Sequence, residues 1–433
     1  MKKFYLSFVT ICLIFSATAP LPVTVYAETN SPEEISPNNT EEKPTQEGST
    51  TSSNETNEKK PATADKTNEE TTNASNTAAD TSSPEKETTP DTKTTSPSPK
   101  EKAATNQLLA AGDTYIDTFP DEAFAKVIAL QITGNDDTSQ VVTQEQLDSI
   151  TSLNASGKNI TDVTGINQLT NLTSIDLSQN QLTSIAPITD LTSLASLNVS
   201  NNLLSIVVIT TAQNIPNLTS LNISNNPTIT KLSIADQANL TSFSASLGGR
   251  QSALEELTLS NLPALTTAGT SSPNSVYFSN YSDVLTTVKL NGLPKIQRAI
   301  FDNNLIDDID VHDMAGLTTL ELHANELTDI NKLADLPMLN YLNASSNQLT
   351  TAGIANVVQL DALQTLYLDS NLLTSFTLDA ENDLPNLTNL SISSMPTITN
   401  IHIADQAKLT SFSASLGGRQ SALEELTLSN LPA

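Results

Sequence analysis

The sequence predicts a solenoid of short repeats, with parallel β-strands stacked along one face and brief loops returning along the other. Three observations predict it. An apolar pattern closed by Asn recurs at near-constant spacing, as at Asn180, Asn202 and Asn226. The apolar residues are aliphatic, since aromatics make up 4% of the 433 residues and Trp is absent. A whole block, Ala235–Ala264, also appears a second time near the end of the chain. A unit this short holds one strand and its return. It cannot bury its own apolar face and is stable only when stacked on its neighbours.

The first element is an export leader over residues 1–27. Lys2 and Lys3 precede the apolar run Phe4–Ala17, and Val25 and Ala27 provide a small-residue cleavage site before Glu28. Pro20 and Pro22 interrupt the run before it reaches the ~20 residues of a membrane span. Cys12 lies inside the leader, so the mature chain lacks cysteine, and thiol catalysis, cysteine metal sites and disulfides are excluded from it.

Residues 28–105 are mostly Thr, Ser, Glu, Asn, Pro and Lys with almost no large apolar residue, and hold 16 acids against 8 lysines. Such a segment has too little apolar surface to offset its conformational entropy and is expected to be a disordered acidic spacer, or else an O-glycosylated stalk. A small helical cap is expected over residues 106–150. Pro120 at a first helical position, followed by Asp121 and Glu122, favours one helix start, and Thr143 with Gln146 forms a capping box for a second.

Residues 151–433 hold the repeats. The pattern reads Leu172, Ile175, Leu177, Asn180, then Leu194, Leu197, Val199, Asn202, then Leu218, Leu221, Ile223, Asn226. It returns as Leu317, Leu320, Leu322, Asn325, then Leu339, Leu342, Ala344, Asn347, then Leu363, Leu366, Leu368, Asn371. This is the leucine-rich repeat signature. The paired apolar residues point inward from a strand of period two, and each buried Asn must bond backbone groups of neighbouring turns. The predicted fold is therefore a leucine-rich repeat solenoid: a curved parallel β-sheet on the concave face, loops and 3₁₀ turns on the convex face, and the α-helical cap at its N-terminal end.

Between about Ile229 and Ile300 the register slips, and a bent or bulged section is expected, with Thr266–Asp283 looping out of the solenoid. Ala235–Ala264 returns nearly unchanged as Ala404–Ala433. That second copy stops without a polar capping unit, so a longer natural chain is expected.

The segment Tyr115–Ile128, the stretch Val142–Leu147 and the repeats Ile160–Ile166 and Asn180–Ile188 resemble the cap and repeats of the bacterial internalins. Internalins are surface or secreted proteins of Gram-positive bacteria, and several bind host receptors through the concave face. The resemblance implies a secreted or cell-surface protein mediating protein–protein interaction, through adhesion to a receptor on a host or neighbouring cell. It also allows cell-wall association through a missing C-terminal region. The alternative is a structural or glycan-binding wall component with no protein receptor.

Residues flanking the inward pairs face the concave side. They are small and polar in the early strands (Ser174, Asp176, Ser178, Ser196, Asn198, Ser200, Ser220, Asn222, Ser224). In the middle strands they become Arg298, Ile300, Asp302, Glu321, His323, Tyr341, Tyr367 and Asp369, which form the candidate protein-binding patch because Tyr and Arg are enriched at interface hot spots.

A formal charge of −28 opposes nucleic-acid binding. With three histidines (His312, His323, His402) and no nucleophile–base or metal-ligand constellation, no cofactor and no enzymatic activity are expected. Asp307, Asp308 and Asp310 lack the spaced ligands of a calcium loop and are read as surface charge. The sequons at Asn171 and Asn239 fall on the repeat pattern and need no glycan.

Overall fold

The computed structural model describes residues 10–14, 109–247, 252–269, 272–279, 284–381, 383–416 and 422–432. The acidic spacer and the expected cleavage site lie outside them.

Three helices open the described repeat-bearing region: α1 (Tyr115–Thr118), α2 (Glu122–Thr133) and α3 (Gln144–Asp148). Thr143 and Gln146 form the expected capping box on α3, and Thr114 with Asp117 forms another on α1. The start of α2 differs from the expectation: Asp121 is its N-cap, and Pro120 stands just outside. Asp121 has an acceptor that Pro120 lacks, and its Oδ1 accepts from the Phe124 N–H at 2.9 Å. Tyr115, Phe119 and Phe124 are wholly buried beneath the helices, with the two Phe rings edge to face at 5.3 Å. The cap also covers the first strand, Ser152–Asn154, whose Ser152 carbonyl accepts from Gln131 Nε2 at 2.7 Å.

Asp121 ties this cap to the first repeat. Its Oδ2 accepts from the Thr161 N–H (2.8 Å), the Thr161 hydroxyl (2.7 Å) and the Asp162 N–H (3.1 Å). Partial burial alone would raise its carboxyl, but the bonds from Thr161, Phe124 and Asp162 outweigh it and hold the group below the usual carboxylate range. A folded-state value below the unfolded one means this stability is present above about pH 4 and is lost as pH falls through the folded value. Asp121→Ala should cost about 2 kcal/mol, by losing the cap and leaving repeat donors unpaired. Asp121→Asn, which keeps the capping oxygen, should cost less and flatten the acid dependence. Hydrogen exchange over Tyr115–Thr133 reads both; equal protection in parent and Ala variant would refute the link.

The main sheet has fourteen strands. Thirteen are parallel neighbours running in chain order from Ser152–Asn154 to Ser411–Ser415, and Thr10–Ile14 pairs antiparallel with the last. In the three-residue parallel strands the central residue is buried (Leu153, Ile175, Leu197, Leu221) and its two neighbours face outward, as period two requires.

The convex side carries the expected 3₁₀ turns at Ile166–Gln168, Thr211–Gln213 and Ala352–Gln359. It also carries two further parallel sheets, of six strands from Ile206–Ile209 to Leu333–Ala334, and of three strands, Ser375–Leu378, Asn400–Ala404 and Glu425–Ser429. These sheets explain the slipped register. Leu232 and Ile234 belong to the convex strand Lys231–Ala235, and Leu257 and Leu259 to the convex strand Glu256–Ser260. Pattern alone cannot separate them from concave strands, because inward alternation reads the same from either face.

The described residues of Thr266–Asp283 do not loop out. Thr267–Gly269 and Ser275–Tyr277 are adjacent parallel strands of the main sheet, and Ala268, Val276 and Phe278 are wholly buried. They follow each other far more closely in the chain than the other parallel neighbours of this sheet. Among the described residues this turn has no convex strand, and Glu256–Ser260 pairs directly with Thr287–Asn291.

The Asn ladder forms as expected. Asn202 Oδ1 accepts from the Leu182 N–H at 2.9 Å, while its Nδ2 donates to the Leu177 and Val199 carbonyls, each at 3.0 Å. Asn180, Asn226, Asn304, Asn325, Asn347 and Asn371 likewise donate to carbonyls of their own and the preceding turn. A second, exposed ladder explains the sequons. Asn171 Nδ2 donates to the Asp148 carbonyl and Asn239 Nδ2 to that of Pro216, while the following Thr173 and Thr241 hydroxyls donate to Thr151 and Thr219.

Candidate functional site

The register of the main sheet decides which side chains share its outward face. One row runs Ser275, Arg298, Thr319, Tyr341, Thr365, Asn389 across successive strands. A second row, two positions further along each strand, runs Tyr277, Ile300, Glu321, Asn343, Tyr367, Ser391. Adjacent strands lie about 4.8 Å apart, so Arg298 and Tyr367 are three steps, or roughly 14 Å, apart along the sheet.

Tyr341 and Tyr367 come together. Their ring centroids are 5.8 Å apart at 74°, an edge-to-face contact between neighbouring strands. Both are partly exposed and lie outside the hydrophobic core. Burial raises the Tyr341 phenol, and the neighbouring Glu321 carboxylate and Tyr367 raise it further, so it remains protonated through neutral pH. Glu321 lies one strand before Tyr341. Its Oε2 is 3.7 Å from His323 Nδ1, and His323 Nε2 is 3.9 Å from Asp302 Oδ2. Arg298 is exposed and makes no ion pair among the described residues.

Three predicted members behave differently. Ile300 is 6% exposed and is not an accessible anchor; it stands in register between Tyr277 and Glu321 of the neighbouring strands. Asp302 accepts from the Ser279 hydroxyl at 2.8 Å and from Asn303 Nδ2 at 2.7 Å. Asp369 accepts from the Ser391 hydroxyl and the Ser393 N–H, each at 2.6 Å. Both carboxylates knit neighbouring turns together, leaving Arg298, Glu321, His323, Tyr341 and Tyr367 as the accessible members.

Tyr277 joins the face without having been expected there. It points outward between buried Val276 and Phe278, and that parity is the signal available in the sequence. Below it, Phe278 stacks on Phe301 with centroids 6.4 Å apart and planes 6° from parallel, a rigid floor under this part of the face.

On the convex side, Asp308 pairs with Lys332 and Lys289, and the hydrogen bond from Lys332 is the chief cause holding its carboxyl below the usual range. Among the described residues no three His, Cys, Asp or Glu side chains are grouped to hold a metal ion.

A leucine-rich repeat family model matches residues 170–227, and a two-copy model of the same repeat matches residues 148–191. The chain is a leucine-rich repeat solenoid. No curated protein sequence matches the chain. Among solved structures it is similar to an internalin (inlF) from Listeria monocytogenes str. 4b F2365, at 23% identity over 74% of this chain and 98% of that one, with a TM-score of 0.27. An internalin C2 from the same strain is 20% identical over 75% and 99%, with a TM-score of 0.22. InlP from Listeria monocytogenes is 21% identical over 66% and 73%, with a TM-score of 0.30. The turns matched by the repeat models come before the aromatic face, which begins at Tyr277.

Proposed function

We propose that the chain is an extracellular protein-interaction module that adheres to a receptor on a host or neighbouring cell through the main-sheet face centred on Tyr341 and Tyr367. The observation that carries this reading is the edge-to-face pair itself. Two aromatic side chains stand partly exposed on a hydrogen-bonded sheet whose early strands offer only Ser, Asn and Asp. Each Tyr brings large contact area with few rotatable bonds, and the sheet holds both at fixed separation before a partner arrives. Leucine-rich repeat proteins generally act by binding other proteins, and the apolar leader of residues 1–27 supports export. Attachment to the cell wall through further sequence belongs to the same proposal.

Surface cross-linking on intact host cells, with the purified chain as bait, would identify the receptor. Tyr341→Ala combined with Tyr367→Ala should then weaken binding by about 30-fold, the equivalent of roughly 2 kcal/mol. Unfolding should be nearly unchanged, because neither side chain belongs to the core. Ser196→Ala with Ser220→Ala should leave the affinity within about twofold, as expected for a bland part of the face. Unaltered binding by the tyrosine pair variant would overturn the assignment.

A further inference from the structure

The chemistry around the tyrosine pair selects one kind of side chain from the partner. In an edge-to-face pair, the ring that gives its edge keeps both of its faces clear of the other ring. An aromatic face is electron-rich and attracts cations more than it attracts neutral groups. Glu321, on the strand preceding Tyr341, brings a carboxylate to the same place. Its one ion-pairing neighbour among the described residues is His323, at 3.7 Å, and no Lys or Arg stands within ion-pair distance. Asp302 and Asp369 add negative charge on either side, although their oxygens already accept hydrogen bonds from Ser279, Asn303, Ser391 and Ser393. The candidate set's one Arg, Arg298, is two strands from Tyr341. Aromatic faces and a carboxylate whose neighbours are the Tyr341 hydroxyl and His323 therefore converge, with no Lys or Arg among the described residues within ion-pair distance of that carboxylate.

We propose that Tyr341, Tyr367 and Glu321 form a subsite for a cationic side chain of the protein partner, with arginine favoured over lysine. It rests on the reading that this face binds protein. A guanidinium is planar and can stack on a ring while its N–H groups reach a carboxylate, whereas an ammonium is a more strongly hydrated point charge. The Tyr341 phenol, held protonated through neutral pH, brings no charge of its own to the subsite.

The test uses the full chain labelled with 3-fluorotyrosine, each of its seven tyrosine resonances assigned by a Tyr→Phe variant. The probes are acetyl-arginine amide and acetyl-citrulline amide, which match in shape and differ in charge. Arginine should shift the Tyr341 and Tyr367 resonances saturably, and citrulline should do so at least threefold more weakly. Glu321→Gln should weaken the arginine response at least threefold while leaving the unliganded spectrum of the other tyrosines in place. Equal responses to both probes, no saturable shift, or a response unaltered by Glu321→Gln would each overturn the subsite. If the subsite fails while the tyrosine pair variant still loses the captured receptor, the interaction face stands without a cation pocket. If arginine binds as described but that variant keeps its receptor, the subsite stands and the receptor docks elsewhere.

Discussion

Asn202→Ala is expected to lower the unfolding free energy by about 3 kcal/mol, more than its small size change suggests. The side chain is 3% exposed and spans two turns of the solenoid. Its removal leaves the Leu182 N–H without the acceptor it uses at 2.9 Å, in a buried position. An orphaned buried donor costs about 1–3 kcal/mol, and the lost donations to Leu177 and Val199, with the cavity, add to it. Asn202→Asp separates the contributions. It keeps an acceptor for Leu182 but turns a carboxylate toward the Leu177 and Val199 carbonyls. Burial and those dipoles would raise its folded-state pKa above the unfolded value of about 4. The stability of that variant should thus be best below about pH 4 and fall as pH rises, whereas the Ala variant shows no such added slope. Urea unfolding followed by circular dichroism at several pH values reads both. A loss under about 1 kcal/mol for Asn202→Ala would mean that the ladder is ornamental to stability.

That ladder was legible because its requirement is strict: one residue type at one place in each unit, as at Asn180, Asn202 and Asn226. It also has a legible gap, since Met395, 1% exposed, stands one repeat after Asn371 where the next Asn would fall. The α3 capping box was equally plain, because Thr143 and Gln146 need only each other and the local backbone. The convex strands were not legible. Lys231–Ala235 and Ser220–Asn222 both bury alternate aliphatics, and which face each occupies depends on the turn stacked beside it. The tyrosine contact could be read from the sequence because Tyr341 and Tyr367 fall in successive regular repeats. The placement of Tyr277 beside Ile300 could not, because the two come together only through a strand junction that breaks the period.

That junction is where the second large effect is expected. Gly269→Ala should cost about 3 kcal/mol or more and displace Tyr277, although position 269 contributes no side chain to the face. Thr267–Gly269 and Ser275–Tyr277 pair in parallel although only the short segment 270–274 joins them. Gly269 meets that constraint with φ at +88°, a left-handed conformation that L side chains rarely adopt. A Cβ added there would stand 2.3 Å from the Tyr277 carbonyl oxygen and 3.1 Å from Phe278 Cε2. The first is backbone in a hydrogen-bonded strand and the second belongs to a wholly buried ring stacked on Phe301, so neither can swing aside. The strand carrying Tyr277 must move, and with it the register between Tyr277 and Ile300. Gly157→Ala is the control. Its φ is +68°, but no atom lies within 4 Å of the added Cβ, so it should cost only the conformational strain, about 1 kcal/mol. Thermal unfolding of the two variants measures the difference, and the fluorotyrosine resonance of Tyr277 reports the displacement. Equal stability in the two, with Tyr277 unmoved, would show that the junction is looser than its close backbone contact implies.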